Sequence, residues 1–313
     1  MPDSIRDALL IFNPTAGRAR GLHTGGLERA RKVLARHGIE SEVAATDGPG
    51  SAPELARRAV RDRRHLVIVC GGDGTLNEVV NGLAGSAVPL ALLPAGTANV
   101  FAKELGLPWN VERAASLIAG SRFRRIALGH VTPAESEKGG RYFLSLAGAG
   151  PDGALVRAVS QTLKDRMGTI AFWLEGFRQL ASYRFPRFRV TVENETSEAT
   201  LIIAGRTKHY GGPIQITTKA DIYGDDFELM LCTTSSRWKY LGYMPLMLAG
   251  GLRRARHIRF LRTAVMRCEP IDAEPVWVQV DGEPAGRLPA DFRIVPDALT
   301  LAVPMKSPEE PNH

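Results

Sequence analysis

Residues 66–78 read Leu-Val-Ile-Val-Cys-Gly-Gly-Asp-Gly-Thr-Leu-Asn-Glu. The apolar run 66–70 predicts a buried strand, and the apolar spacing that begins at Leu76 predicts an amphipathic helix. A glycine turn between a strand and a helix lets backbone N–H groups approach a phosphate, and the helix dipole favours negative charge there. Asp73 would repel a phosphate unless a cation lay between them, and Mg²⁺ is the usual cation because carboxylates and substrate phosphates hold it together. The stretch therefore predicts a metal–nucleotide site.

The same alternation of strand and helix extends to both sides of this stretch. Strands are predicted at residues 8–12, 40–45, 66–70 and 90–93, of which all but 40–45 are apolar runs, and the segments between them carry apolar residues at helical spacing. This order predicts an α/β domain, a parallel sheet with helices on both faces. Ligands bind such sheets at the carboxyl ends of the strands. Loops 13–17, 71–75 and 94–99 lie at those ends.

Residues 94–99, Pro-Ala-Gly-Thr-Ala-Asn, repeat the logic of the first loop. Gly96 permits close approach, and the Thr97 hydroxyl and the N–H groups of the next helix can bind phosphate. Taken alone, the segment is typical of an ordinary helix start. Paired with residues 71–78, it predicts the second wall of one site.

Strand-like runs dominate from about residue 125. They lie at residues 143–146, 187–192, 200–203, 227–232, 276–280 and 299–303, with helical patterns near 153–183 and 237–252. This pattern predicts a second, mostly antiparallel domain. We predict domains at residues 1–126 and 127–291, a last strand within 292–306, and a disordered tail at 307–313.

Two further motifs have alternative interpretations. Residues 148–153 match GxGxxG, but no second strand ending in an acidic residue follows, so a tight turn is favoured over a dinucleotide site. Asp281-Gly282-Glu283 follows a predicted strand and fits either a hairpin turn or a general base. The pattern alone does not decide between them.

The net charge of +7 is unevenly distributed. Between Glu228 and Glu269 there is no acidic residue, while basic, aromatic and Met residues alternate over 237–262. Such a stretch predicts peripheral contact with an anionic membrane. The alternative is a solvated helix face beside a core strand. No nucleic-acid motif is recognisable, so nucleic acid is not predicted as a partner.

Several classes of protein are excluded or disfavoured. The absence of GxxxxGK[ST] excludes P-loop NTPases, and the absence of GxSxG disfavours acyl hydrolases. Cys70, Cys232 and Cys268 have no zinc-binding spacing and predict a reducing compartment. No signal peptide or membrane span is recognised, so the predicted location is cytoplasmic and peripheral to the membrane.

Together these motifs resemble the diacylglycerol kinase catalytic-domain family, which includes sphingosine kinases and bacterial diacylglycerol kinase-like lipid kinases. The resemblance covers nearly the whole chain. The segments that carry it are Asn13-Pro14 with Gly17, residues 44–47, 71–78, 94–108 and 148–152, and Asp281-Gly282-Glu283. It implies an N-terminal α/β domain that binds ATP and a C-terminal β-sandwich domain that helps form the lipid site, with the final strand returning to the first domain.

The resemblance also implies roles for particular residues. The implied ATP-binding residues are Asn13, Pro14, Thr46, Gly71, Gly72, Asp73, Gly74, Thr75, Leu76, Asn77, Glu78, Gly96 and Thr97. Glu283 would accept the proton, Asp281 competes for that role, and Asp73 would assist the active-site Mg²⁺. A second metal site would use the Asp226 side chain with the backbone carbonyls of Tyr223 and Glu228.

The chain departs from the family at two positions. Val100 stands where many relatives have Asp, and Phe227 replaces the usual glycine of the second metal site. The expected function is ATP- and Mg²⁺-dependent phosphorylation of a hydroxyl of diacylglycerol or a related lipid. The alternatives are a kinase of a soluble substrate such as NAD and a nucleotide-binding regulatory protein without turnover. The sequence leaves open the acceptor lipid and the oligomeric state, a homodimer included.

Overall fold

The computed structural model describes residues 6–16, 25–136, 139–158, 183–211 and 214–305. Gly17, the start of the first predicted helix, most of the helical pattern at 153–183 and the predicted tail lie outside the described residues. The chain forms two compact units. The first contains residues up to Ile126 and those from Asp297 onward, and the second is Ala127–Pro296.

The first unit contains a parallel sheet. Its strands are β1 (Asp7–Phe12), β2 (Glu40–Ala45), β3 (Leu66–Gly71) and β4 (Leu90–Pro94), in the order β2-β1-β3-β4. Its helices are α1 (Gly26–Arg36), α2 (Ala52–Arg61), α3 (Asp73–Leu83), α4 (Val100–Glu104) and α5 (Val111–Ala119). The predicted α/β architecture is confirmed.

Alternate residues of the central strands β1 and β3 are buried on opposite faces of the sheet. Leu10 and Ile68 belong to a core cluster with α1 and α5. Leu9 and Val67, also fully buried, point to the other face, because successive side chains of a strand alternate. Both faces are therefore covered, as the continuous apolar runs indicated.

The second unit is predominantly antiparallel. Its strands include β6 (Arg141–Phe143), β7 (Leu146–Ala149), β8 (Phe188–Val192), β9 (Glu195–Ala199), β10 (Leu201–Gly205), β11 (Phe227–Cys232), β12 (Ile258–Thr263), β13 (Val265–Pro270), β14 (Trp277–Val280) and β15 (Glu283–Arg287). Strands β5 (Arg122–Pro133) and β16 (Ala290–Val303) have residues in both units. The helices of the second unit include α6 (Pro151–Ala158) and α7 (Arg237–Leu248).

One core lies between two antiparallel layers of the second unit. The sheet β12-β11-β10-β7-β14-β15 contributes residues such as Phe227 and Val278, and the layer formed by β8, β13 and β16 contributes Phe188 and Phe292. Both layers bury one face against the other, so the expected sandwich-like architecture is confirmed.

Two predicted strands differ clearly from the observed ones, and the strands β5, β9, β12, β13 and β15 were not predicted. Residues 143–146 were predicted as one strand, but β6 ends at Phe143 and β7 begins at Leu146. The strand is interrupted because the backbone N–H groups of residues 144–146 donate to the side chain of Asp281 instead of to another strand. The last strand, predicted at 299–303, begins already at Ala290.

Candidate functional site

Two glycine loops touch at the carboxyl edge of the parallel sheet. Gly72 is the N-cap of α3, so residues 73–75, predicted as part of a loop, form the first helical turn. A Cβ atom on Gly96 would overlap the Cα atom of Gly72. Glycine at both positions therefore allows the two backbones to meet. The structure brings residues 71–75 and 94–99 together, with the first turn of α3 beside them.

Asn99 shapes the second loop from within. It is buried and adopts the left-handed conformation, with φ of 44°. Its Oδ1 accepts from the Gly96 N–H at 3.0 Å, and its Nδ2 donates to the Gly96 carbonyl oxygen at 3.0 Å. Thr97, by contrast, is exposed. Asn99 is thus an internal brace, and Thr97 is the exposed polar side chain of this loop.

Asp73 is the acidic group of this region. It is the first residue of α3, where the helix dipole stabilises a carboxylate, and it is half-buried. Its Oδ1 accepts from the Phe101 N–H of α4 at 3.3 Å. The preceding residue, Val100, is buried and apolar, so this position offers no second carboxylate.

Asn13 connects the loop after β1 to the first turn of α3. Its Nδ2 donates to the Thr75 hydroxyl at 2.8 Å. Its Oδ1 accepts from both the N–H and the hydroxyl of Thr15, each at 2.9 Å. Asn13 and Thr75 are therefore held as a pair beside Gly72, and Pro14 follows directly in the same loop.

The loop after β2 joins the same edge of the sheet. The Thr46 N–H donates to the Phe12 carbonyl at 2.8 Å, which extends the pairing of β1 with β2. Glu78 Oε1 accepts from the Gly50 N–H at 2.9 Å. Glu78 therefore holds this loop in place, a role that the sequence did not indicate.

Two of the residues implied to bind ATP are almost completely buried in the interior of the first unit. Leu76 is 3 % exposed and Asn77 is fully buried. The Asn77 carbonyl oxygen accepts from the Asn81 side chain at 2.9 Å within α3. Their burial favours a packing role in α3 over contact with a ligand. Gly74, on the first turn, is more accessible.

The donor set at this edge fits a Mg²⁺ ion that binds together with a nucleotide. Within the described ranges there is no group of three or more His, Cys, Asp or Glu side chains that could hold a metal. One carboxylate beside phosphate-binding N–H groups is the arrangement expected when phosphates and water supply most of the ligands. Asp73 is the residue that would hold the ion on the protein side.

Asp281 and Gly282 form the two-residue turn between β14 and β15, with φ of 47° and 80°. Positive φ at both positions is typical of a type I′ hairpin, which Asp-Gly favours. The Asp281 carboxylate accepts three backbone N–H groups, from Leu144 at 2.8 Å and from Ser145 and Leu146 at 2.9 Å. Its lone pairs are thus largely used to hold the break between β6 and β7.

Glu283 is the other carboxylate of this motif. It is the first residue of β15 and is partly exposed. Asp281 serves as a backbone brace, so the two carboxylates of this motif have different surroundings. Asp73 lies in the first unit and the Asp281–Glu283 turn in the second.

Two arginines donate hydrogen bonds to the loop that was implied to hold a second metal. Arg206 is buried and donates to the carbonyl oxygens of Ile222 at 2.7 Å, Gly224 at 3.1 Å and Asp226 at 3.2 Å. Burial lowers the pKa of Arg206 to about 10, so it stays charged at neutral pH. Arg262 Nε donates to the Asp226 carboxylate at 2.6 Å.

The other two residues implied for this site, Tyr223 and Glu228, were expected to contribute their backbone carbonyls, and other polar groups of both residues are engaged. The Glu228 side chain is buried, forms an ion pair with Arg253 and accepts from the Lys219 N–H at 2.7 Å. Tyr223 donates its N–H to Asp221 at 2.9 Å. As they stand, these residues do not fit a divalent metal, because guanidinium groups already neutralise the carboxylates. An arginine directly after the apolar strand β10 was the sequence signal for this arrangement.

Metal removal tests this interpretation. We expect the melting temperature of the nucleotide-free protein to be the same in Mg²⁺ and in EDTA, because a cation that does not bind the native state cannot stabilise it. The Arg262→Gln variant, which leaves Asp226 without its cationic partner, should become more sensitive to Mg²⁺. Thermal unfolding measures both. A wild-type protein that loses stability in EDTA would contradict the expectation.

Two family models match the chain. The model described as diacylglycerol kinase catalytic domain matches residues 7–131. The model described as YegS C-terminal NAD kinase beta sandwich-like domain matches residues 145–303. Together they span both units.

The chain is also similar to proteins named diacylglycerol kinase and to a solved structure. A diacylglycerol kinase of Bacillus subtilis (strain 168) is 28 % identical over 311 residues, which cover 98 % of this chain and 99 % of the relative. A diacylglycerol kinase of Staphylococcus haemolyticus (strain JCSC1435) is 29 % identical over 292 residues, covering 91 % and 84 %. A crystal structure from Bacillus anthracis str. Sterne has a TM-score of 0.79 at 22 % identity, with 97 % of both chains covered, and shares the fold.

Proposed function

The chain belongs to the family that joins a diacylglycerol kinase catalytic domain to a YegS-type C-terminal domain, and on this premise we propose that it is a lipid kinase. It would transfer the γ-phosphoryl group of ATP to a hydroxyl of diacylglycerol or a related lipid. The observation that carries the proposal is the contact of Gly72 with Gly96, which places two phosphate-type loops beside Asp73.

The first unit would bind the nucleotide. Phosphoryl transfer requires mainly positioning and charge stabilisation. Backbone N–H groups at the start of α3 and in the loop of Gly96 would hold the phosphates, with the Asn13–Thr75 pair at their side. Mg²⁺, when bound, would neutralise charge on the phosphates, and Asp73 would orient it.

The second unit would supply the proton acceptor and the lipid site. Glu283 would accept the proton of the attacking hydroxyl, while Asp281 would keep the turn in place through its three backbone hydrogen bonds. Residues 1–126 with the last strand would thus be the ATP-binding domain, and residues 127–291 would be the lipid-substrate domain.

An acceptor panel tests the proposed function. The purified protein is incubated with radiolabelled ATP and Mg²⁺, and with diacylglycerol, monoacylglycerol, a sphingoid base, phosphatidylglycerol or NAD. We expect label in one lipid or in a few related lipids, resolved by chromatography. Label in NAD alone would replace the lipid acceptor by a soluble one. ATP binding without transfer to any acceptor would support the regulatory alternative.

We also propose that α7 docks on an anionic membrane. Tyr240, Tyr243 and Met247 face the core of the second unit. On the other side, Trp238 is 76 % exposed and Leu248 is 72 % exposed. A helix with apolar residues on both faces buries only one of them in its own unit. The outward face therefore has the character of a membrane-contacting surface.

The charges around this surface favour an anionic membrane as its partner. The segment from 229 to 268 has no acidic residue, and Arg237, Lys239, Arg254 and Arg256 are exposed on or near α7. Cations beside exposed Trp and Leu favour anionic lipid over a neutral surface. Within the described part of the chain, no helix is long and apolar enough to cross a bilayer.

Vesicle binding measures this surface. We expect the double variant Trp238→Ala/Leu248→Ala to bind phosphatidylglycerol vesicles roughly 100-fold more weakly, since each buried apolar side chain contributes about 1.5–3 kcal/mol. Wild-type binding should weaken as salt is raised. The matched control is Trp109→Ala, which removes a partly exposed Trp from the first unit and should bind as wild type. If the wild-type protein bound phosphatidylcholine vesicles as tightly as phosphatidylglycerol vesicles, the proposed role of the basic residues would be overturned.

The cysteines support a cytoplasmic location. Cys70, Cys232 and Cys268 are buried and form no disulfide. Burial raises the pKa of Cys70 to about 12, which keeps it as an unreactive thiol. We therefore place the proposed activity at the cytoplasmic face of the membrane.

A further inference from the structure

A buried polar cluster lies in the second unit outside the groups discussed above. Asp152, on α6, is 6 % exposed, and Gln279, on β14, is 1 % exposed. Gln279 Nε2 donates to Asp152 Oδ2 at 2.7 Å, and the Tyr210 hydroxyl donates to Asp152 Oδ1. Burial raises the pKa of Asp152, although both hydrogen bonds oppose this. A buried carboxylate is costly unless it is hydrogen-bonded, so the cluster requires an explanation.

The cluster reaches the acidic turn in one further step. Gln279 Oε1 accepts from the Gly282 N–H at 2.8 Å. Gly282 lies between Asp281 and Glu283, so an unbroken path of hydrogen bonds runs from Asp152 through Gln279 to the turn. Asp152 accepts from the amide NH₂ of Gln279, which directs the amide oxygen toward Gly282. The buried carboxylate thereby sets the orientation of the glutamine side chain.

The GxGxxG motif at residues 148–153 builds this path. A Cβ atom on Gly148 would overlap the Asp152 carboxylate, and one on Gly153 would overlap the Trp277 carbonyl oxygen. The glycines thus let α6 pack closely on β14 and let Asp152 reach Gln279. The space in front of Gly148, where a dinucleotide phosphate would approach, is filled by a carboxylate. The motif is a packing device, and Gly150, with φ of 103°, has the backbone conformation expected of a turn.

The hairpin needs such a brace because its register is irregular. The pairing of β14 with β15 shifts between Val278 and Gln279, so that Gln279 faces Pro284 while Val278 faces Gly286. Shifting a strand by one residue moves each side chain to the opposite face of the sheet. A hydrogen bond from Gln279 to the turn opposes such a shift at the position where the ladder is weakest.

We propose that Asp152 and Gln279 are positioning residues that fix the turn carrying Glu283. This inference rests on the proposed function, in which Glu283 accepts the proton. Asp281 holds the turn from the side of residues 144–146, and Gln279 holds it through Gly282. The two braces are separate, so loss of one leaves the hairpin formed but less well fixed.

Gln279→Met tests the brace in the full-length protein, because it keeps the side-chain length and removes both hydrogen bonds. We expect the Gly282 amide to exchange with deuterium at least about tenfold faster, since exchange reports local opening. We also expect kcat to fall roughly 10- to 100-fold with KM for ATP unchanged, as for a small misplacement of a catalytic group. The matched control is Gln215→Met, which changes an exposed Gln of the same unit and should leave both values as in wild type.

Three comparisons separate positioning from general packing. In the Glu283→Gln background, Gln279→Met should change kcat by less than about twofold, because residues that act as a unit are not additive. Asp152→Asn, which keeps an oxygen that can accept from Gln279, should retain more activity than Asp152→Leu. Tyr210→Phe, which leaves the bond between Asp152 and Gln279 intact, should have the smallest effect.

The two readouts also separate the inference from the proposed function. If the wild-type protein labels no acceptor, the proposed function fails, while the exchange rate of the Gly282 amide still tests the brace. An unchanged exchange rate in Gln279→Met overturns the inference. The inference is also overturned if Gln279→Met lowers kcat in the Glu283→Gln background by as large a factor as it does in the wild-type background.

Discussion

Asp73→Ala is expected to lower kcat/KM for phosphoryl transfer by about a thousandfold, because losing about 4 kcal/mol of transition-state charge stabilisation corresponds to that factor. Asp73 is the carboxylate beside the contact of Gly72 with Gly96, and the neighbouring Val100 offers no substitute. The fold should persist. The change removes the hydrogen bond to the Phe101 N–H and the favourable interaction of a carboxylate with a helix start, together about 2 kcal/mol.

The Asp73→Asn variant and a distant control sharpen this test. Asparagine keeps an oxygen that can accept from Phe101 but lacks the charge, so it should lose nearly as much activity as alanine and less stability. Asp62→Ala removes an exposed carboxylate at the end of α2 in the same unit and should be fully active. Transfer rates with radiolabelled ATP and thermal unfolding are measured for each variant. A fully active Asp73→Ala would refute the proposed metal–phosphate site.

Glu283→Gln is expected to lower kcat by about 10²- to 10⁴-fold, the range that a general base contributes, with little change in KM for ATP. Glutamine matches glutamate in shape, so the melting temperature should stay close to that of the wild type. Steady-state kinetics with a short-chain acceptor in detergent separates this loss from any defect in membrane binding.

Asp281→Asn is expected to lose more stability and less activity than Glu283→Gln. The Asp281 carboxylate accepts three N–H groups, and an amide would turn its NH₂ toward at least one of them. An unsatisfied buried donor costs about 1–3 kcal/mol, so we expect a clear fall in melting temperature. If Asp281→Asn were instead stable and inactive while Glu283→Gln stayed active, the roles of the two carboxylates would be exchanged.

Much of the first unit was predictable because its signals are local. Apolar runs of strand length and the glycines at residues 71–74 specify backbone states over a few residues, and the alternation of strands and helices then specifies a parallel sheet. The approach of the Gly72 and Gly96 loops follows from that topology, since carboxyl ends of parallel strands share one edge. Even so, the sequence did not reveal that Asn77 is buried.

The sequence by itself determined the two-part architecture and the order of the phosphate-type loops. The tertiary structure decided which carboxylate braces the turn, that Arg262 pairs with Asp226, and that the GxGxxG glycines serve packing. The physical reason lies in the range of the interactions. Asp281 binds N–H groups that are 135 to 137 residues away in the sequence, and Gln279 meets Asp152 at a separation of 127. Local patterns fix the backbone, but the hydrogen-bond partner of a buried polar side chain is set only when distant strands pack together.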